Sequence, residues 1–250
     1  MSVKSVAKQN ERDMGMKTKA DVSEYEHKYP YEEFARLAVS HIRKYDAAMS
    51  EMKVRFEIID KDLQVRSSRN PIHHIESRLK SASSMYEKII RYGYAPTMEN
   101  VERYMMDIAG IRIITSYIQD VYRMVDLLKL QDDLAIIEVK DYIAHPKPNG
   151  YRSLHVIVGV PVYFLDSKQM IPVEVQIRTI AMDFWASLEH DLKYKAIGKV
   201  AGVDSHDELK ECSRIIEDVE QRMQVLATAL DEDITIEPMA DVCLLHCPVV

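Results

Sequence analysis

Apolar residues spaced alternately by three and four positions predict two long helices in this chain of 250 residues. The first helix is predicted from about Pro30 to Leu63, and its apolar series comprises Ala38, Ile42, Tyr45, Met49, Met52, Phe56, Ile59 and Leu63. The second series comprises Leu209, Cys212, Ile216, Val219, Met223, Leu226 and Leu230. Such a seam either faces the core of its own subunit or contributes to an oligomer interface, and the sequence leaves both alternatives open.

The segment between the two seams alternates between helix and strand patterns. Helices are predicted over residues 84–93, 97–107, 119–130 and 179–194, the first from the capping-box spacing of Ser84 and Glu87. Strands are predicted over residues 111–117, 134–143, 153–164 and 171–179, with a hairpin turn at Asp166 and Ser167. This order predicts an α/β (α+β) fold, in which a mixed sheet of about five strands is covered by helices.

Pattern and charge divide the chain into four segments. Residues 1–25 lack periodicity and are expected to be disordered, whereas residues 26–69 form a first helical segment. Residues 70–195 hold the alternating helices and strands, and residues 196–250 form an acidic helix and tail. With 47% hydrophobic and 29% charged residues, the chain has the composition of a folded globular protein.

Three features of the sequence favour a cytoplasmic protein without a membrane segment. The longest uncharged apolar run, residues 156–165, is too short to span a bilayer, and the N-terminal segment lacks the apolar core of a signal peptide. Cys212, Cys243 and Cys247 cannot all pair with one another, which favours a reducing compartment. The net charge of −7 argues against stable DNA binding, although residues 64–94 are locally basic and suit a small anionic ligand.

A row of polar side chains lies along the last predicted strand. Glu174, Gln176 and Arg178 share one face of this strand, because side chains alternate across a β-strand. His155 in the neighbouring strand is expected beside them if the register allows. Such a row is either a solvated sheet face or the lining of a ligand site. Asp107, if it lies near Glu174 in space, would complete a pair of carboxylates that can hold Mg²⁺.

A polar loop over residues 145–153 precedes the hairpin. Two prolines and an Asn-Gly pair favour a rigid turn there. The loop is either an ordinary surface turn or part of a nucleotide pocket, in which an aromatic ring stacks on a base and cations contact phosphates. The second interpretation involves Lys147, Asn149, Tyr151 and Arg152. On that interpretation the ring face of Tyr151 does the binding, and its hydroxyl contributes little.

A second group of charged residues surrounds the start of the helix predicted at Ser84. Arg78 and Lys80 come just before this helix, and Lys88 lies one turn after Ser84 on it. The N-terminus of a helix offers unpaired N–H groups that suit phosphate. The sequence contains no GxxxxGK[ST] motif, so a P-loop is excluded as the phosphate-binding device.

These motifs occur in one order along the chain: Arg78-Leu-Lys-Ser with Ser84 and Lys88, Asp107-Ile-Ala-Gly-Ile-Arg112, Pro146-Lys-Pro-Asn-Gly-Tyr-Arg-Ser-Leu-His155, and Glu174-Val-Gln-Ile-Arg-Thr179 with Phe184-Trp185 and Glu189-His190. In this order they resemble the synthetase domain of RelA/SpoT-type alarmone synthetases. The resemblance covers about residues 70–195. The remaining parts of the long bifunctional enzymes are absent, so the chain resembles the small single-domain class, and no hydrolase activity is expected.

The resemblance implies a nucleotidyltransferase-like fold and a GTP pyrophosphokinase that transfers the β,γ-pyrophosphate of ATP to the 3′-hydroxyl of GDP or GTP. Its products would be AMP and ppGpp or pppGpp. It implies that ATP is bound by Arg78, Lys80, Ser84, Lys88 and Arg112. It implies that the guanine nucleotide is bound by Lys140, Lys147, Asn149, Tyr151, Arg152, His155 and Gln176. Asp107 and Glu174 would bind Mg²⁺, with Glu174 also acting as general base, and a homo-oligomer is implied, a tetramer being favoured.

Two other functions remain as alternatives at this point. One is another nucleotidyltransferase, although such sites commonly cluster their carboxylates, whereas Asp107 and Glu174 are far apart in sequence. The other is a catalytically silent regulator that binds nucleotide or RNA, against which the presence of both carboxylates argues.

Overall fold

The computed structural model describes residues 28–67, 69–195 and 205–230. The predictions for residues 1–25 and for the tail after residue 230 lie outside these described residues. Within them the chain forms, in order, α1 (Tyr31–Arg66), β1 (Ile72–Leu79), α2 (Ala82–Arg91), α3 (Met98–Tyr104), β2 (Ala109–Thr115), α4 (Ile118–Lys129), β3 (Ala135–Asp141), β4 (Leu154–Tyr163), β5 (Lys168–Thr179), α5 (Ile180–Lys195) and α6 (Ser205–Leu230).

The five strands form one mixed sheet in the order β1-β2-β5-β4-β3. β2 and β5 are parallel, and each other neighbouring pair is antiparallel. The predicted α+β fold with a mixed five-stranded sheet is therefore confirmed. The parallel pair has a direct consequence for the site, because it sets Gly110 opposite Glu174 and Arg112 opposite Gln176.

The first apolar seam belongs to the core of the domain. α1 packs against β1, β2, β4 and β5, and its residues Ala38, Met52 and Phe56 are fully buried. The alternating apolar side chains of the strands, such as Val175 and Ile177 of β5, meet it from the sheet. For this helix the core interpretation of the seam is correct. Although α1 is long, neither it nor any other described helix is apolar enough over sufficient length to cross a membrane.

β1 is the strand that the sequence pattern did not predict. It is an edge strand that pairs only with β2, and His73, His74 and Glu76 are exposed. Polar and charged side chains on an edge strand protect it from pairing with other chains, and they also remove the apolar alternation that identifies a strand. As a result Arg78 lies in a strand, opposite Gly110, rather than in a loop.

α2 begins two residues earlier than the capping-box spacing predicted. Its N-cap is Ser81, whose hydroxyl accepts a hydrogen bond from the backbone N–H of Ser84 at 3.2 Å. The prediction of Ser84 as the cap was therefore wrong, because Ser81, three residues earlier, caps the helix and Ser84 supplies the N–H that it accepts. Ser84 lies within the first turn of α2, and Gly93 ends the segment in a left-handed conformation with φ of 84°.

The second apolar seam faces away from the domain. On α6, Val219, Met223 and Leu226 are each more than half exposed. The helix packs inward through a different face, whose buried members Ser213, Glu220 and Ala227 recur every seven residues. Two of these three are polar, which is why an apolar pattern alone selects the wrong face of this helix.

Candidate active site

A cavity of about 540 Å³ lies beside the central strands. This volume lies in the range of small-molecule sites. Six residues predicted from the sequence line the cavity: Arg78, Lys80, Asp107, Arg112, Glu174 and Gln176. They come from β1, β2, β5 and the short segments that follow β1 and precede β2, so the sheet register brings them together.

Asp107 is the centre of a charge cluster at one end of the cavity. Its Oδ2 accepts hydrogen bonds from Lys88 and lies 3.1 Å from Nζ of Lys80. Burial alone would lower the pKa of Lys88, but the Asp107 carboxylate outweighs burial and raises it above its ordinary value. Lys88 is therefore charged at neutral pH. Two cations face one carboxylate here, which leaves a net positive charge suited to phosphate.

Glu174 is held in its ionised form by its neighbours. Its Oε1 lies 3.2 Å from Nδ1 of His155, and its Oε2 accepts a hydrogen bond from the Gln176 amide at 2.9 Å. Burial raises the pKa of Glu174, but the hydrogen bond and charge of His155, the Gln176 bond and the charge of Lys88 together lower it to about 2. The predicted proximity of His155 to the polar row is confirmed by its pairing with Gln176.

An aromatic and cationic cluster adjoins Glu174 on the other side. The hydroxyl of Tyr151 lies 2.8 Å from Nε2 of His155, and the ammonium of Lys147 lies 4.6 Å from the centroid of the Tyr151 ring. The same ammonium lies 4.5 Å from the ring centroid of Tyr142. A ring held by such contacts is a preorganised surface on which a base can stack.

The two arginines predicted for ATP lie on adjacent strands. Arg112 pairs in register with Glu76, and its Nη1 lies 3.4 Å from Glu76 Oε2 and 3.8 Å from Asp183 Oδ1. Arg78 lies two residues along β1 from Glu76, on the same side of the strand. Guanidinium groups can stack on planar rings, so arginines on two neighbouring strands suit a base.

Ser84 and Lys140 lie at the margins of this arrangement. Ser84 lies one helical turn before Lys88 on α2. Neither Ser84 nor Lys88 lines the cavity wall. Lys140 on β3 is opposite His155 on β4, which brings its side chain to the sheet edge next to the aromatic cluster. The assignment of Ser84 and Lys140 to nucleotide binding stays a prediction.

Two loop residues predicted for nucleotide binding are engaged within the protein. The side-chain amide of Asn149 donates to Glu189 at 3.0 Å. Arg152 is only 4% exposed, and its guanidinium contacts Glu220 at 2.7 Å and Glu217 at 3.7 Å on α6. These contacts attach the loop to α6, and the binding of the guanine nucleotide by Arg152 stays a prediction.

Sequence reasoning missed the role of Arg178. Its guanidinium is buried, donates to Asp183 at 3.1 Å and donates to the Tyr151 hydroxyl at 2.6 Å. The available signal was its membership of the polar row with Glu174 and Gln176, on a strand whose other face is apolar.

The carboxylates fit a divalent cation. Among the described residues, Oδ1 of Asp107 is a buried oxygen without a hydrogen-bond partner, and Glu174 lines the same cavity. Within the same described ranges, three or more potential ligands nowhere gather into a metal cluster. Mg²⁺ is bound through one or two carboxylates, substrate phosphates and water rather than by a full protein cage, so these two residues fit that ion.

Comparisons with known proteins agree with this site. Residues 77–199 match the family pattern described as a region found in RelA / SpoT proteins. The chain is 43% identical over 187 residues to the GTP pyrophosphokinase YwaC of Bacillus subtilis (strain 168), covering 75% of this chain and 89% of that protein.

Two solved structures share the fold over most of the chain. The small alarmone synthetase 1 from Bacillus subtilis, bound to its product pppGpp, has a TM-score of 0.71 and 29% identity, covering 79% of this chain and 100% of the other. The small alarmone synthetase 2 from Bacillus subtilis has a TM-score of 0.67 and 42% identity, covering 76% of this chain and 97% of the other.

The chain therefore belongs to the RelA/SpoT family and, within it, to the small alarmone synthetases. It is an enzyme of the GTP pyrophosphokinase class, and the resemblance found in its motifs is confirmed.

Proposed function

We propose that this chain transfers the β,γ-pyrophosphate of ATP to the 3′-hydroxyl of GDP or GTP, forming ppGpp or pppGpp and releasing AMP. One observation carries the proposal: the ionised Glu174 lies between the cations around Asp107 and the Tyr151 ring. The names of its relatives support the same reaction. The cytoplasm is the proposed compartment, and the exposed free thiol of Cys212 is in keeping with a reducing environment.

ATP is proposed to bind through the cations on β1, β2 and α2. Arg78 and Arg112 would flank the adenine, because guanidinium planes stack on planar rings. Lys80, Ser84 and Lys88 would contact the phosphates, where the excess positive charge next to Asp107 offsets their negative charge. These cations contact the transferred group both before and after transfer.

The guanine nucleotide is proposed to bind at the aromatic cluster. The Tyr151 ring would stack on guanine, and Lys140, Lys147, Asn149, His155 and Gln176 would surround the rest of the nucleotide. Arg152 is proposed for the same nucleotide, next to its contact with Glu220 on α6. A nucleotide bound in this way would have its ribose near Glu174, which contacts both His155 and Gln176.

Glu174 is the proposed general base. A ribose hydroxyl is a poor nucleophile, and a carboxylate within hydrogen-bond reach accelerates its attack by roughly 10²–10⁴-fold. The low pKa of Glu174 keeps its carboxylate ready to accept the 3′-hydroxyl proton at neutral pH. Mg²⁺ bound at Asp107 and Glu174 would supply positive charge against the phosphate oxygens. The lysines next to Asp107 would hold the pyrophosphate in line with the attacking oxygen.

Tyr151→Ala tests the assignment of the guanine side. Stacking on an aromatic ring is worth about 1–3 kcal/mol per base, so the KM for GDP should rise by roughly 5- to 150-fold. The KM for ATP should change little, because the residues assigned to ATP lie on β1, β2, α2 and the segment between β1 and α2. The measurement is AMP release together with formation of a new guanine nucleotide from ATP, GDP and Mg²⁺.

The matched control for this experiment is Tyr163→Ala at the exposed tip of the β4–β5 hairpin. It removes an aromatic ring far along the sheet and should leave both KM values unchanged. Equal losses for the two nucleotides in Tyr151→Ala would contradict the guanine assignment. Absence of a guanine product from the unmodified protein would contradict the proposed reaction itself.

Residues 70–195 are the proposed synthetase unit, and α6 is proposed to join copies of this chain into a homo-oligomer. Its outward face exposes Val219, Met223 and Leu226. α5, which packs beside α6, exposes a second apolar series at intervals of four residues: Ile180, Phe184, Leu188 and Leu192. Exposed apolar series of this extent favour closed, symmetric association. Two series on two helices offer two interfaces, which favours a tetramer over a dimer.

Met223→Glu should shift the molar mass towards smaller species, because it introduces a charge at the centre of the exposed face of α6. Light scattering coupled to gel filtration at micromolar concentration measures this shift. Gln221→Glu adds the same charge at an exposed polar position of the same helix and serves as the control. Met52, in the other seam, is fully buried, so its replacement would report on folding instead. A monomeric unmodified protein would contradict the oligomer.

A further inference from the structure

Arg178 makes contacts that its charge alone does not require. Its side chain is 7% exposed, and Nη1 donates to Asp183 at 3.1 Å, which supplies a counter-charge. Nη2 donates to the uncharged hydroxyl of Tyr151 at 2.6 Å, and the guanidinium carbon lies 5.1 Å from the centroid of the same ring. Burying a guanidinium costs free energy unless its partners are well placed. The second bond therefore points to a role at the site.

One chain of hydrogen bonds leads from Arg178 to Oε1 of Glu174. The Glu174 carboxylate accepts hydrogen bonds, so Nδ1 of His155, 3.2 Å from Oε1, is the donor in this contact. In the tautomer with its hydrogen on Nδ1, Nε2 of His155 accepts, and its partner at 2.8 Å is the Tyr151 hydroxyl. The Tyr151 oxygen in turn accepts from Arg178, which can only donate. Every donor in the chain points towards the carboxylate.

A second, longer chain leads from Arg178 to the other oxygen of Glu174. Nη2 of Arg178 lies 3.4 Å from Oε1 of Gln176, and the Gln176 amide nitrogen donates to Glu174 Oε2 at 2.9 Å. Because Arg178 only donates, it favours the amide orientation that directs the Gln176 nitrogen at the carboxylate. Both chains of hydrogen bonds thus begin at Arg178, and each ends at a different carboxylate oxygen of Glu174.

We propose that Arg178 is a positioning residue, which acts through Tyr151 and His155 on one side and Gln176 on the other to fix the Glu174 carboxylate against the 3′-hydroxyl. This inference rests on the proposed role of Glu174 in synthesis. It also changes the interpretation of Tyr151. The sequence suggested that only its ring face matters, whereas the structure makes its hydroxyl the link between Arg178 and His155.

Tyr151→Phe separates these two functions of the tyrosine. The variant keeps the stacking ring and removes the link, so we expect kcat to fall by roughly 10- to 100-fold, the usual effect of losing an outer partner of a site. The KM for GDP should change by only a few-fold. Tyr122→Phe removes a hydroxyl that donates to Asp141 at 3.0 Å outside the cavity, and it should leave kcat unchanged.

Arg178→Lys tests the origin of the chain. Lysine keeps the charge beside Asp183 but lacks the fork needed to reach the Tyr151 hydroxyl as well. Its kcat should fall by a similar factor, again with little change in the KM for GDP. The double variant with Tyr151→Phe should be no slower than the slower single variant, because both changes interrupt one chain. Losses that multiply would assign the two side chains to separate roles and overturn the inference.

The tautomer of His155 provides a readout that does not depend on turnover. Nitrogen-15 NMR of histidine-labelled protein should show Nδ1 protonated and Nε2 unprotonated at His155 in the unmodified enzyme. The His155→Asn variant identifies the signal. In Tyr151→Phe the preference should be lost. Protonation on Nε2 in the unmodified protein, or full kcat in Tyr151→Phe, would overturn the positioning role. If the enzyme made no guanine product at all, the proposed function would be wrong. The His155 tautomer would still show whether the chain of hydrogen bonds from Arg178 to Glu174 exists.

Discussion

Glu174→Gln should lower the kcat of pyrophosphate transfer by roughly 10²–10⁴-fold, the usual contribution of a general base. The amide keeps the shape of the side chain and its hydrogen-bonding position beside His155, but it cannot take the 3′-hydroxyl proton. It also removes one of the two carboxylate charges, those of Asp107 and Glu174, that are proposed to bind Mg²⁺. Steady-state release of AMP measures the loss. Glu57→Gln, a half-buried carboxylate on α1 paired with Lys53, is the matched control and should turn over normally.

A companion change separates the base from the metal. Asp107→Asn should also reduce turnover severely, but part of its loss should be recovered at higher Mg²⁺ concentration, because the buried Oδ1 is the better candidate for metal contact. The loss in Glu174→Gln should persist at all Mg²⁺ concentrations. Near-normal turnover of either variant would remove that residue from the mechanism.

The Glu174 carboxylate should also make the stability of the protein depend on pH. The pKa of Glu174 in the folded protein is lowered to about 2 from its ordinary value of 4.5, so the ionised form favours the folded state. This contribution is fully present above the ordinary value and disappears as the pH falls from 4.5 towards 2. Glu174→Gln should therefore melt at a lower temperature than the unmodified protein at pH 7, and the difference should shrink in acid.

The sequence predicted those parts of the molecule whose signals are local. The buried helix α1 follows from its apolar spacing, and the β4–β5 hairpin follows from two strand patterns around Asp166 and Ser167. The proximity of His155 to Glu174 follows from strand alternation together with that hairpin. These inferences need only the spacing of apolar residues in each helix or strand and the position of one turn.

The remaining features depend on partners that are distant in sequence. β1 is polar because it is an edge strand, so its identity becomes visible only once β2 is beside it. Arg152 has the sequence environment of a ligand-binding loop residue, and its buried contact with Glu220 on α6 becomes visible only in the fold. The hydroxyl of Tyr151 gains a function only through Arg178 on another strand. A residue type reports which contacts are chemically feasible, while the fold determines which are made.

α6 contacts the polar loop of residues 145–153 with its inner face and exposes its other face on the outer surface of the domain. On its inner face, Ser213 donates to the carbonyl of Gly150 at 2.6 Å, and a Cβ on Gly150 would lie 2.8 Å from that of Ser213. Gly150 also has a φ of 89°, so a side chain there would be both strained and obstructed. Tyr151 follows directly, which means that the position of the stacking ring depends on how α6 is docked.

Glu220→Ala is expected to destabilise the protein by about 3–5 kcal/mol, because it leaves Arg152 buried without its main partner. The two side chains are 4% and 7% exposed and lie 2.7 Å apart. Thr179 also donates to Glu220, so one substitution removes two buried contacts. Glu217, 3.7 Å from Arg152 and 35% exposed, can replace only part of the lost interaction. Urea unfolding at a fixed protein concentration measures the loss, since association would otherwise alter it.

Two further variants identify the origin of that loss. Glu211→Ala breaks an exposed pair with Arg214 on the same helix and should cause little measurable change, because solvent screens such pairs. Arg152→Met combined with Glu220→Leu replaces the buried pair by apolar side chains of similar volume, and it should recover most of the stability lost in Glu220→Ala. Recovery of stability would assign the loss to the unpaired charge of Arg152. The KM for GDP, if raised in Glu220→Ala, should also return towards that of the unmodified enzyme, because α6 again holds the loop that precedes Tyr151. A loss in Glu220→Ala no larger than in Glu211→Ala would show that Arg152 is not anchored by α6.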